Sequence, residues 1–152
     1  MYDVAIIGAG PVGLATAIGL YERGVTNLVV LEQARELRAV GQQIALLPNG
    51  LWALHYLSPS ALEAVRANRS SRAQRWLQKT PDGREFDSFS LRDEDWEAAY
   101  GIGRVPMRWY VLQQTLKDQL PQGTLCLDRR CVSVAEAPDS GYVRVNCCSR
   151  SE

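Results

Sequence analysis

Residues 3–32 read DVAIIGAGPVGLATAIGLYERGVTNLVVLE, and the order of features along this stretch decides the fold. The opening "DVAII" (3–7) is a short apolar, β-branched run, as expected of a buried strand in a parallel sheet. Gly8-Ala9-Gly10-Pro11-Val12-Gly13 follows at once with the spacing G-x-G-x-x-G. Gly8 permits a tight turn, Gly10 lets a pyrophosphate approach the backbone, and Gly13 lets the next helix pack closely on the strand. Pro11 falls in the first helical turn, where its missing N–H costs nothing and its fixed φ suits helix entry. The remaining free amides of that turn, at Val12 and Gly13, face an anion at the positive end of the helix dipole.

The helix is expected from about Pro11 to Arg23, with Leu14, Ala15, Ala17, Ile18 and Leu20 as its apolar surface and Gly24 as its stop. A second strand, Leu28 to Leu31, ends at Glu32, with Gln33 beside it. The Glu32 carboxylate lies roughly 20 residues past Gly13, where this fingerprint places an acid for an adenosine ribose. Strand, glycines, helix, strand and acid in register imply an α/β, Rossmann-like dinucleotide cradle.

At 152 residues the chain has room for one domain, or one domain and a fragment. Lys and Arg number 17, as do Asp and Glu, so the balance argues against a nucleic-acid or membrane-surface partner. The apolar run before the glycines is too short for a signal peptide or a membrane span, and a cytoplasmic location is expected. Cys126, Cys131, Cys147 and Cys148 form no C-x-x-C pair, and the single histidine, His55, is distant in sequence. They are read as reduced thiols and not as a zinc site, with Cys147 and Cys148 pointing to opposite faces of an extended segment.

After Glu32 the chain reads QARELRAVGQQIALLPNGLWALHYL (33–57), not another simple β–α unit. Asn49 is a candidate N-cap, with Leu51, Leu54 and Leu57 at helical spacing behind it. AIIGAGPVGLATAIGL (5–20), Glu32, Arg38, Gly41 and IALLPNGLWAL (44–54) together resemble the N-terminal half of the FAD-dependent aromatic-hydroxylase family, which includes para-hydroxybenzoate hydroxylase. The resemblance implies that Gly41-Gln42-Gln43-Ile44 lies against the flavin ring and that Arg38 lies near the pyrophosphate or ribityl chain. Arg35 is read as a surface charge.

Residues 58–73 read as a short surface helix and a polar link, and from Gln74 two short strands flank Pro81-Asp82-Gly83 in a hairpin. In the resembled family such an excursion contributes to a sheet roofing the substrate. Trp76, Phe86 and Phe89 are read as sheet packing in preference to an aromatic pocket. "LRDEDWEAAYG" (91–101) reads as a solvated acidic loop, and Asp93, Glu94 and Asp95 are assigned no metal. "VPMRWYVLQQTLKDQLPQG" (105–123) reads as a returning helix with Trp109, Leu112, Leu116 and Leu120 on its apolar stripe, opposite Gln113, Lys117 and Gln119. The family often has an arginine at this helix, reaching the cofactor; here Trp109 holds the matching register and Arg108 stands one residue early, a candidate cofactor contact. Strands near Leu125–Leu127, Cys131–Ala135 and Tyr142–Cys147 follow, the last two joined by a turn at "PDSG" (138–141).

The resemblance divides the chain into an FAD-binding βαβ core (1–67), strands of a partial substrate domain (68–106), and a return helix with β-hairpin (107–152). It also implies a truncated chain, since the family's later Asp-Gly and Gly-Asp motifs are not found. The implied reaction is oxygenation of an aromatic or similar small molecule by O2, with FAD as cofactor and NAD(P)H as reductant. No nucleophile–His–acid constellation appears, so no catalytic residue is named. Other flavoproteins of the same scaffold (reductase, halogenase, cyclase) and a non-catalytic nucleotide-binding fragment are the alternatives.

Overall fold

In the computed structural model, which describes residues 1–70, 73–137 and 141–149, the first elements are β1 (Val4–Ile7), α1 (Pro11–Tyr21), β2 (Leu28–Leu31), β3 (Gln43–Leu46), α2 (Pro48–Leu57) and α3 (Pro59–Ala67). There follow β4 (Arg75–Lys79), β5 (Glu85–Ser90), α4 (Asp93–Tyr100), β6 (Val105–Arg108), α5 (Trp109–Lys117), β7 (Leu125–Cys126), β8 (Arg130–Ala137) and β9 (Tyr142–Cys148). They group into two units, one of Met1–Val40 with Tyr110–Glu152 and one of Gly41–Trp109. The fold is α/β and Rossmann-like, with an antiparallel hairpin in the second unit.

The first unit is built on a parallel sheet in the order β1-β2-β7. Register runs from Val4 opposite Leu28 to Ile7 opposite Leu31, so β1 and β2 end level with each other. That alignment sets Gly8 beside the exit of β2, where the Gly8 amide donates to the Leu31 carbonyl at 2.8 Å. Leu28, Val29 and Val30 are buried in β2, as are Leu14, Ala17 and Ile18 on α1 and Leu112 and Leu116 on α5. Each of the Leu, Val and Ile side chains contributes ~1.5–3 kcal/mol on burial. α1 stops at Tyr21, short of the expected Arg23, because the chain tightens into three-residue bonds, Arg23 to Leu20 and Gly24 to Tyr21. β8 and β9 pair antiparallel, with an irregularity between Cys131 and Ser133. The expected turn at 138–141 lies, except for Gly141, outside the described residues.

In the second unit β3 pairs antiparallel with β6, Gln43 opposite Arg108. Here the structure corrects three readings. Asn49 is not the N-cap of α2: the cap position is Leu47, without a side-chain bond, and Pro48 is the first helical residue, where proline is favoured. α3 is the expected short surface helix, with one face (Ala61, Leu62 and Val65) buried and Pro59, Glu63 and Arg66 exposed, and the buried Ser58 caps it by accepting from the Ala61 amide at 3.4 Å. The acidic segment is helix α4, in which Asp93, Glu94 and Asp95 fill the first turn and favour the dipole, while Gly101 closes the end in the left-handed region. Finally, 105–108 is strand β6, and α5 runs only to Lys117, so Leu120 lies beyond the helix.

β4 and β5 form the expected hairpin, with Trp76 opposite Phe89. Those two rings stack at 6.0 Å, yet Trp76, Phe86 and Phe89 are all exposed. The hairpin packs ring on ring across its own strands and not into a core. Among the described residues, no helix is long and apolar enough to cross a membrane.

Candidate nucleotide site

The glycine turn is sterically determined at two of its three glycines. Gly8 has φ +101°, a region costly for any residue with a Cβ. A Cβ on Gly13 would stand 2.1 Å from the Gly8 carbonyl oxygen and 3.4 Å from the Ile6 side chain. Only glycine allows α1 to approach the β1 exit so closely. A Cβ on Gly10 would meet nothing within 4 Å, so the space beside it is open. Gly10 is the N-cap of α1 and has no side-chain cap, Pro11 is in the first turn, and the first intrahelical bond runs from the Leu14 amide to Gly10. The amides of Val12 and Gly13 lie ahead of that bond, at the positive end of the helix.

Glu32 closes the other side of the turn. One carboxylate oxygen accepts from the Ala9 amide at 2.8 Å, and the other accepts from the Ala34 amide at 2.8 Å. Each oxygen has two acceptor sites, so one on each is left for hydroxyl donors. The Ala9 carbonyl in turn accepts from the Gln113 side-chain amide at 2.7 Å. Ala9, wholly buried, is thus held at both its amide and its carbonyl. Gln113, read from the sequence as part of a polar helix face, is the positioning residue that sequence reasoning missed. Its partner lies 104 residues away in the chain, and no local pattern marks such a contact.

A hollow of about 220 Å³ opens at this point, lined by Gly8, Glu32, Gln33, Arg129, Arg130 and Cys131 among others. The 128–130 turn is pinned beside it: the Asp128 amide donates to Ala34 and the Arg129 amide to the Glu32 carbonyl. Asp128 holds φ +53°, and its carboxylate pairs with Arg35 at 4.0 Å. Arg35 stays an exposed surface charge, paired loosely with that turn. A larger hollow of about 770 Å³ lies elsewhere on the same unit and is walled by apolar side chains such as Val4, Val29, Val143 and Val145. It lacks the convergent amides and carboxylate of the glycine turn.

The other expected site residues fall in two places. Arg38 is exposed in the first unit, past β2, where its carbonyl accepts from the Val40 amide at 2.7 Å. Gln43 and Arg108 belong to the second unit and face each other across β3 and β6. Next to them Gly41, φ +102°, presses on the Trp109 side chain, where an added Cβ would lie 3.0 Å away. The Trp109 amide also donates to the Gln42 carbonyl at 3.1 Å. This bond secures the loop expected beside a flavin.

Comparison with known proteins agrees with this geometry. Over 140 residues the chain is 36% identical to a 3-amino-4-hydroxybenzoate 2-monooxygenase of Streptomyces cremeus, covering 90% of this chain and 34% of that protein. Its fold matches the p-nitrophenol 4-monooxygenase of Pseudomonas putida (TM-score 0.78, 19% identity, 99% of this chain and 37% of that one). It also matches Klebsiella pneumoniae HpxO, solved with FAD and uric acid (TM-score 0.73, 21% identity, 93% and 36%). The chain spans about a third of the length of these proteins. The family model described as FAD dependent oxidoreductase matches residues 3–144, and the chain belongs to that family.

Proposed function

We propose that this chain is the FAD-binding portion of a flavin-dependent monooxygenase that hydroxylates an aromatic or similar small organic substrate with NAD(P)H and O2. The observation that carries the reading is the Glu32 carboxylate, turned toward the helix mouth and bonded to the Ala9 amide with acceptor capacity to spare. In this reading the amides of Gly10, Val12 and Gly13 meet the pyrophosphate, Gly8 and Pro11 shape the turn, and Glu32 with Gln33 meets the adenosine ribose. Arg38, Gln43 and Arg108 serve the phosphate and flavin side. The absence of a side chain at Gly10 leaves that space open to a diphosphate, which supports this role.

Bound FAD would supply the electron transfer and oxygen activation that no side chain provides. The chain's own residues bind and orient the cofactor. Segment 68–106 contributes to the substrate side, while 1–67 and 107–152 serve the cofactor. The reading also places the protein in the cytoplasm, without nucleic-acid or membrane partners.

Titration of the purified chain with FAD and with ADP tests the proposal. FAD is expected to bind, with ADP competing for the same site. Failure of both to bind would overturn it. Because the chain spans about a third of its relatives, no turnover is expected from it alone. NAD(P)H oxidation stimulated by an aromatic substrate in the purified chain would contradict that part.

A further inference from the structure

Cys131 on β8 stands directly opposite Cys147 on β9. Both thiols are free. Directly opposed residues of an antiparallel pair have Cα atoms ~4.5–5.5 Å apart, within the ~4.4–6.8 Å that a disulfide spans. Adjacent positions confirm that opposed side chains meet in this hairpin: the Asn146 amide donates to the Ser133 hydroxyl at 2.8 Å. Cys131 lines the hollow of Gly8 and Glu32, Cys147 lines the larger apolar one, and Ile7 and Leu31 line both. The two residues therefore flank the same end of β1 and β2, and the Cys131 thiol donates to the Ser133 carbonyl at 3.9 Å. The strand irregularity next to Cys131 bends β8 at this point. Cys148 lies opposite Arg130 and has no thiol across from it.

We propose that Cys131 and Cys147 form a peroxide-responsive dithiol at the edge of the nucleotide hollow, closing to a disulfide on two-electron oxidation. The thiolate of one cysteine attacks a peroxide oxygen and breaks the O–O bond, leaving a sulfenic acid and one water after protonation. The second thiol displaces the sulfenic hydroxyl as water and forms the S–S bond. Hydrogen peroxide is reduced to two waters, and the dithiol loses two electrons and two protons. Partial desolvation, together with the neighbouring Cys131 thiol, raises the Cys147 thiol above its ordinary range, against a smaller opposing pull from Arg129. One consequence rests on the proposed nucleotide reading: ADP in the hollow covers Cys131 and slows closure.

The test is peroxide treatment of the purified 152-residue chain, then alkylation, proteolysis and mass spectrometry. A Cys131–Cys147 linked peptide is expected, abolished by dithiothreitol, retained in Cys148→Ser and lost in Cys131→Ser. Thiols that remain fully alkylable, links that run to Cys148 or between molecules, or separate sulfinic acids on Cys131 and Cys147 would overturn the proposal. In a parallel arm, saturating ADP is expected to slow closure several-fold. If the link forms at an unchanged rate, the nucleotide reading of the hollow fails and the dithiol stands. If ADP binds and no link forms, the dithiol fails and the nucleotide reading stands.

Discussion

The β1–α1–β2 segment and the β4–β5 hairpin are each local in sequence, yet they are held by opposite means. In the first, Leu14, Ala17, Ile18 and Leu28 to Val30 are buried, and a Cβ at Gly13 would collide with backbone. In the second, the aromatic side chains stay exposed and the strands are held by a stacked ring pair and by surface contacts, Arg75 with Glu85 and Gln78 with Asp87. Surface pairs of that kind contribute little each. The hairpin's firm anchor is at its root: buried Arg104 donates to the Leu91 carbonyl at 2.7 Å and to the Ala73 carbonyl at 2.8 Å. Burial lowers the Arg104 pKa from its ordinary value, with Asp93 opposing that shift. A nucleotide site needs atoms fixed to a fraction of an ångström, and only the first segment is built to that standard.

The contrast is open to direct attack. Gly13→Ala should have the largest effect, because the added methyl meets backbone and not a flexible side chain. A loss of ~3 kcal/mol or more is expected from such overpacking, with nucleotide binding abolished; chemical denaturation and ADP titration measure both. Arg104→Ala comes next, costing ~2 kcal/mol by leaving the Leu91 and Ala73 carbonyls without their donor, while ADP affinity stays unchanged. Gln113→Ala should cost ~1 kcal/mol, and unlike Arg104→Ala it should weaken ADP binding, since the Ala9 peptide loses one of its two clamps. Trp76→Ala is the smallest, at ~0.5 kcal/mol for a lost exposed cross-strand pair, with no change in ADP affinity. Equal effects of Gln113→Ala and Trp76→Ala on ADP binding would erase the distinction between the two regions.

What was legible in the sequence follows the same division. The glycine turn, β2 and Glu32 could be read because each is dictated by neighbours a few residues away, and the hairpin because Pro81-Asp82-Gly83 marks its turn. The structure confirms the α/β, Rossmann-like architecture from those signals. α4 was missed because three consecutive acids look solvated, although the same acids suit a helix N-terminus with Gly101 as its stop. Pro48 could have shown the start of α2 by its preference for the first helical position. β6 had no local signature: its strand character comes from pairing with β3, some sixty residues earlier. Gln113 was invisible for the same reason, since a side-chain bond across 104 residues leaves no pattern behind.

The central claim is that the α1 mouth and Glu32 together hold an adenine dinucleotide, and thermal unfolding of the intact chain against ADP tests it most directly. At about 100 times its Kd, a ligand that binds only the folded state adds ~2.7 kcal/mol, a rise of several degrees in Tm. That rise is expected for the native chain, a much smaller one for Glu32→Gln at the same ADP concentration, and none for Gly13→Ala. A native Tm that stays fixed up to millimolar ADP and FAD would contradict it.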